Sequence, residues 1–327
     1  MNIIESGLDK PTLRSMIIFI VIVAALALVS LVAAPLIASS MLLGQHFDQP
    51  QRDPLAFGIP ADQVQRITLT TEDGLKLAAW RVFADADGDS PRGTVVILSG
   101  IQQPSVTAFF GYADLFAQAG WDSLLIEMRA RSLSEGTTIG LGYSEVLDIK
   151  AGVDLLNNDP MSRASDRPIV ALGTSMGGST VLMAAASDTR IDAVIAVSAF
   201  STFADAYVDN AANMGMPRFL GNASKPVMNF LIERRFGAEA TAVKPICAIA
   251  QLGDRPVLLM QSTEDREVPA SHFKRLKDAA QAAGVSVQTF LREGNHHFVI
   301  YSNLLSTPAA DPEFSEALLA FVEKVAS

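Results

Sequence analysis

A single cysteine, Cys247, stands in a chain of 327 residues. No internal disulfide can form, and thiol usage leaves the redox compartment open. Histidine is almost as scarce, and no Cys/His pair has the spacing a structural metal needs. His46 and His272 have no Cys, Asp or His at ligand spacing and read as surface residues. Positive charge is outnumbered, with 25 Lys and Arg against 35 Asp and Glu, a net −10 at pH 7. With no run of Lys or Arg, that balance argues against nucleic acid and against polybasic attachment to acidic lipid. No G-x-G-x-x-G follows a strand, so the dinucleotide-binding fingerprint is missing. Neither a cofactor nor a metal is expected.

What is present begins with a long apolar run. Met16–Ile37 holds 22 residues and no charge. At about 1.5 Å per residue it spans roughly 33 Å, enough for a hydrocarbon core of about 30 Å. A cleaved signal peptide has an apolar region of only about 7–15 residues. Ala38-Ser39-Ser40 offers small residues for cleavage, but the length favours an uncleaved signal anchor over 16–38. No Cys lies near it to carry a lipid. Pro35 sits near the end, where it disturbs little backbone bonding. Lys10 and Arg14 precede the run, while the first basic residue after it is Arg52. The positive-inside tendency places residues 1–15 in the cytoplasm and the bulk of the chain outside. Residues 39–60, with Pro50, Pro54 and Pro60, read as a polar linker or stalk.

From Val64 the pattern changes. Val64–Thr71 and Lys76–Phe83 flank Glu72-Asp73-Gly74, a hairpin signal. Strand-like and helix-like stretches then alternate. Strand candidates are Thr94–Leu98, Asp122–Met128, Ile169–Leu172, Ile191–Val197, Val257–Met260 and Val285–Leu291. Helical patterns cover Ala108–Ala119, Glu145–Asn157, Ser271–Ala283 and Glu313–Val325. An antiparallel start followed by β-α repeats predicts an α/β fold, a mostly parallel sheet with helices on both faces.

The most informative stretch is Pro168–Gly178, an apolar strand running into Gly173-Thr174-Ser175-Met176-Gly177, with a helix-forming stretch behind it. A G-x-S-x-G turn between strand and helix lifts a serine hydroxyl clear of the sheet. A hydroxyl is a poor nucleophile near neutral pH and needs a base, itself oriented by a carboxylate. Asp265 follows a later strand and His296 lies near the C-terminus, giving the order Ser…Asp…His. Functional groups of open α/β sheets gather at the strands' carboxyl ends, so the three can meet there. Glu264 and His297 are the neighbouring alternatives.

These motifs, taken together, resemble the α/β-hydrolases from about residue 61 to 327. Thr94–Gly100 resembles the strand ending in His-Gly. Glu127-Met128-Arg129-Ala130-Arg131-Ser132-Leu133-Ser134 resembles D-x-R-G-x-G-x-S, and Arg255–Pro269 resembles P-V-L-x-x-H-G-x-x-D-x-x-V-P. Residues about 200–250, with a helical pattern at Lys225–Phe236, stand where the family often carries a cap. The resemblance implies Ser175 as nucleophile, Asp265 as orienting acid (from D-x-x-V-P) and His296 as base (from the residue after Asn295). It implies the backbone N–H groups of Met176 and Ile101 as oxyanion donors. Family glycines and histidines are replaced by Ser99, Gln261-Ser262 and Ala130-Arg131-Ser132, and Gln102 and Gln103 flank the oxyanion loop.

The expected activity is hydrolysis of a small-molecule acyl ester, lipid-derived in one reading, by a serine hydrolase tethered through its N-terminal helix. A serine peptidase, an acyltransferase and a non-catalytic anchored protein of the same fold remain the alternatives.

Overall fold

The first strand pair runs against the rest of the sheet. In the computed structural model, which describes residues 10–43, 46–85, 91–101, 104–158, 167–242, 244–301 and 304–327, eight strands form one sheet in the order β1-β2-β4-β3-β5-β6-β7-β8. β1 (Val64–Thr70) and β2 (Lys76–Val82) form the antiparallel hairpin, and β2 pairs antiparallel with β4 (Asp122–Ile126). β3 (Thr94–Leu98), β5 (Ile169–Thr174), β6 (Ala193–Val197), β7 (Val257–Ser262) and β8 (Val287–Arg292) run parallel to β4. The central strands are buried along nearly their whole length, and mostly apolar, because helices cover both faces.

The helices are α1 (Lys10–Leu28), α2 (Ala34–Leu43), α3 (Phe110–Gln118), α4 (Val146–Asn158), α5 (Met176–Ser187), α6 (Phe203–Asn213), α7 (Arg218–Phe236), α8 (Pro245–Ile249), α9 (Ala270–Ala282) and α10 (Pro312–Ala326). Ile149 and Val153 of α4, Val181 and Leu182 of α5, and Phe273 and Leu276 of α9 pack on one side of the sheet. Phe110 and Phe116 of α3 and Phe314, Leu318 and Phe321 of α10 pack on the other. The expected strand Val285–Leu291 starts two residues later, because Val285 closes the turn after α9 with its N–H on the Ala280 carbonyl.

The N-terminal helix runs past the expected 16–38 at both ends. A π turn, Val29–Ala33, joins α1 to α2 with helical dihedrals at Leu28 and Ala34. It ends two residues before Pro35, whose ring crowds the preceding turn and whose missing N–H removes a helical bond, and the widened turn absorbs the conflict. Thr12–Ser40 is long and apolar enough to cross a membrane.

Two expectations change. The segment expected as a stalk lies on the domain in its described part. Phe47 donates its N–H to the Ala130 carbonyl and accepts from Ser132 N–H, both at 2.9 Å, and Ile59 is buried in the core. Polar side chains of this strap find partners: His46 bonds to the Ser132 and Gly136 carbonyls at 3.0 Å, and Asp53 accepts from the Leu55 N–H at 3.0 Å to cap the turn opened by Pro54. His272, expected at the surface, is fully buried on α9. Its Nε2 meets Asp209 of α6 at 3.0 Å, while its Nδ1 accepts from the Ser201 N–H at 3.0 Å. A buried imidazole must find such partners, and here it pins α6 to α9. Asp209 and Ser201 lie 63 and 71 residues away, so no local spacing disclosed them.

Candidate active site

Ser175 sits where β5 hands over to α5, with φ 55° and ψ −120°. That backbone region is costly for a residue with a Cβ, and such strain is held by surrounding structure. Here the Ser175 N–H is tied to the Val197 carbonyl at 2.8 Å. The glycines of the turn have contact reasons. A Cβ on Gly173 would lie 2.2 Å from the Gly177 carbonyl oxygen, and one on Gly177 would lie 2.5 Å from the Ser99 carbonyl oxygen. Close approach of the turn to the end of β3 therefore brings the serine beside the Ser99–Ile101 loop. The Met176 N–H opens α5, among the first-turn donors that have no acceptor within a helix.

The histidine expectation is corrected by geometry. Asp265, after β7, accepts a hydrogen bond at 2.9 Å from Nδ1 of His297, not from His296. The His296 ring turns away and packs edge-on against Tyr301 at 4.9 Å between centroids. Its backbone is fixed meanwhile, with its N–H donating to Ser262 Oγ at 3.0 Å and its carbonyl accepting from Val299 N–H at 2.8 Å. Val299 takes φ 63°, unusual for a β-branched residue. This turn sends the ring of the next residue inward. Sequence spacing favoured the residue after Asn295 and could not see which way a tight turn would aim two adjacent rings.

The second carboxylate oxygen, Oδ1, accepts the N–H groups of Glu267 (2.8 Å) and Val268 (3.0 Å). Burial pushes the Asp265 carboxyl upward, but the His297 hydrogen bond and charge and these two amides outweigh it, and the net shift is downward. For His297, burial alone would depress the pKa. The hydrogen bond and charge of Asp265, joined by the charge of Glu267, reverse that and raise it. Nε2 of His297 is buried and makes no hydrogen bond among the described residues; Glu267 Oε2 stands 3.5 Å away. Ser175, Asp265 and His297 follow β5, β7 and β8, parallel strands, so all three stand at the carboxyl edge. Glu264 is exposed and makes no bond to His297; its N–H donates to the Gly294 carbonyl at 2.9 Å.

The family substitutions have structural roles. Gln261 donates to the Val268 carbonyl at 3.0 Å and approaches Asp265 Oδ2 at 3.4 Å, bracing the acid loop. Arg131 is wholly buried and donates to the carbonyls of Gly100 (2.7 Å) and Ile101. Glu127, also wholly buried, lies 3.8 Å from its guanidinium and gives it a counter-charge. Desolvation lowers the Arg131 pKa from its ordinary value, and the Glu127 charge acts in opposition. In the sequence, residues 130–132 stand only as a departure from the family pattern, because a buried cation is legible only once its partners are in place. Gln102 and Gln103 lie outside the described residues.

A cavity of about 240 Å³ opens beneath α6–α8, lined by Met183, Phe200, Phe203 and Ile232 with Asp205 and Lys225. Neither Ser175 nor His297 lines it. Among the described residues no group of His, Cys, Asp and Glu could hold a metal ion.

The sequence profile of the prolyl oligopeptidase family matches residues 139–327, more than half the chain. The chain belongs to the prolyl oligopeptidase family. The matched segment of this family member contains Ser175, Asp265 and His297. It is 27% identical over 221 residues to the uncharacterized protein YqkD of Bacillus subtilis (strain 168), covering 66% of this chain and 68% of that one. Its fold is similar to the Pyrococcus furiosus esterase Pf2001, with TM-score 0.64, 19% identity, and coverage of 87% of this chain and 100% of that one. It is also similar to the Pyrococcus horikoshii acylaminoacyl peptidase, with TM-score 0.58, 18% identity, and coverage of 80% of this chain and 41% of that one. The prolyl oligopeptidase family member is thus an α/β-hydrolase-fold hydrolase.

Proposed function

We propose that the protein is a serine hydrolase that cleaves an acyl ester through a covalent acyl-enzyme, held at a membrane by its N-terminal helix. The observation that carries this reading is the 2.9 Å bond from His297 Nδ1 to Asp265, which leaves Nε2 without a hydrogen bond among the described residues, with Glu267 at 3.5 Å, at the sheet edge where Ser175 is strained. Asp265 fixes the tautomer in which Nδ1 holds the proton and Nε2 is free to accept one. Nε2 takes the Ser175 proton as Oγ attacks the ester carbonyl, and the Met176 and Ile101 N–H groups face the charge that develops on oxygen. The protonated His297 then gives its proton to the leaving alcohol. In the second half it takes a proton from the water that attacks the acyl carbonyl, and returns that proton to Ser175 Oγ as the acyl–oxygen bond breaks and the acid is released.

An ester is preferred to a peptide because the chain matches the full length of the similar esterase and under half of the similar peptidase. The uncharged run Met16–Ile37 within this helix supports attachment to a membrane, and Lys10 and Arg14 ahead of it support an N-terminus inside. A fluorophosphonate probe should label the full chain, and Ser175→Ala should abolish the label; labelling that survives would overturn the nucleophile. A panel of p-nitrophenyl esters beside matched anilides then separates ester from amide, with faster turnover of anilides overturning the ester assignment.

A further inference from the structure

Helix α7 has two apolar faces, and only one is covered. Gly221, Ser224, Met228 and Ile232 are buried, Met228 and Ile232 packing with Leu141, Tyr207 and Val208. At about 100° per residue, Phe219, Ala223, Pro226 and Phe230 fall within roughly 60° of one another on the opposite side. All four are exposed; Phe219 is 71% and Phe230 60% accessible. A line of aromatic and apolar side chains of this kind on a soluble surface marks an interaction site.

What lies beside the stripe indicates its occupant. α7 packs against the π turn Val29–Ala33 and against α2, and Ala38 joins the buried side of α7. Val29–Ala33 precedes Ile37, the end of the uncharged run, by four to eight residues. At about 1.5 Å per residue that contact lies roughly 6–12 Å inside the end of the run. Interfacial amphipathic helices bury their apolar face by a similar ~5–10 Å. Charge agrees as well. Within α7, Arg218 and Lys225 pair with Asp209 and Asp205 of α6, which leaves Arg234 and Arg235 against Glu233, a basic end in a chain of −10. Exposed Arg234 lies one turn beyond Phe230, placed as a basic residue flanking an interfacial apolar face.

We propose that α7 lies in the interface of the bilayer crossed by the N-terminal helix, with Phe219, Ala223, Pro226 and Phe230 facing the acyl boundary. This rests on reading that helix as a membrane span. Docked so, the cap stands at the lipid surface, and the ester class that reaches the site is one carried in the bilayer rather than dissolved in water.

The test uses the full chain in vesicles of phosphatidylcholine and phosphatidylglycerol. Phe230→Trp reports the stripe, and Leu291→Trp, exposed on β8, serves as the control. Brominated phosphatidylcholine should quench Phe230→Trp emission at least threefold more strongly than Leu291→Trp, with a blue shift for the former alone. Equal quenching in protein that floats with the vesicles overturns the docking and leaves the span intact. Protein that fails to float overturns both. A blue shift that grows with protein concentration in lipid-free amphipol assigns the stripe to a second copy, which also overturns the proposal. In a second variant, Phe219→Glu with Phe230→Glu, hydrolysis of a long-chain ester in vesicles should fall about tenfold while that of a soluble short-chain ester holds. Parallel loss of both would overturn the link to bilayer-borne substrate.

Discussion

Arg131 grips the Gly100 carbonyl at 2.7 Å, and the peptide it grips is the one that carries the Ile101 N–H. In a planar trans peptide C=O and N–H point opposite ways. The guanidinium therefore aims the Ile101 N–H away from itself by holding the oxygen behind it. Phe47, bridged to Arg131 from the N-terminal strap, supports the same loop from outside.

Arg131→Met should lower kcat with the ester substrate by about 10–100-fold and leave KM within a few-fold. Loss of an oxyanion donor outright costs ~3–4 kcal/mol, and a misaimed donor costs part of that. Because the variant strands buried Glu127, Glu127→Gln with Arg131→Met should restore thermal stability without restoring kcat. Steady-state kinetics and a melting curve on both variants decide it; recovery of kcat with stability would reduce Arg131 to a packing role.

His297→Ala should cost about 10⁴-fold or more in kcat, whereas His296→Ala should cost less than about tenfold. The first removes the group bonded to Asp265; the second removes a ring packed on Tyr301. The reverse ranking in a p-nitrophenyl ester assay would return the base to His296.

The acid limb of the rate profile should lie above the ordinary histidine value of about 6.5, since His297 is raised and must be unprotonated to act. Stability runs differently. A raised histidine pKa contributes fully below about 6.5 and its contribution is lost as pH climbs through the raised value. The depressed Asp265 contributes above about 3.9 and its contribution is lost as pH falls through the depressed value. The pair is therefore most stabilising between about pH 4 and 6.5, while activity rises on the alkaline side. Asp265→Asn should move the acid limb of kcat/KM downward; an unmoved limb would disprove the coupling.

His272→Leu should destabilise the fold by about 2–4 kcal/mol in urea, since it empties a buried network and leaves Asp209, still paired to Arg218, without its second partner. Fluorophosphonate labelling of whatever remains folded should persist, because this cluster lies outside the candidate site.

Gly177→Ala places a methyl group 2.5 Å from the Ser99 carbonyl oxygen and 2.8 Å from that of Leu98. Backbone on both sides must shift, so the expected outcome is loss of probe labelling together with a lowered melting temperature. Normal labelling at wild-type stability would show that the turn and the end of β3 are less tightly apposed than described.

Much of the fold was written locally. The period-two and buried-strand patterns, the hairpin at Glu72-Asp73-Gly74 and the G-x-S-x-G turn each depend on neighbours in the chain, so Ser175 and the sheet could be read directly. Asp265 emerged from its spacing to Val268-Pro269, and the structure explains that spacing: the Val268 N–H binds the carboxylate. What required the tertiary structure were choices among chemically equivalent neighbours and partners distant in sequence. The turn closed at Val299 gives Asp265 the ring of His297 rather than its twin. Residues 63 and 71 positions away turn His272 from a surface residue into a buried pin. A carbonyl 31 residues upstream makes Arg131 a support rather than an anomaly. Pattern encodes direction along one element, whereas the partner of a polar side chain is set by which elements the packed core brings into reach.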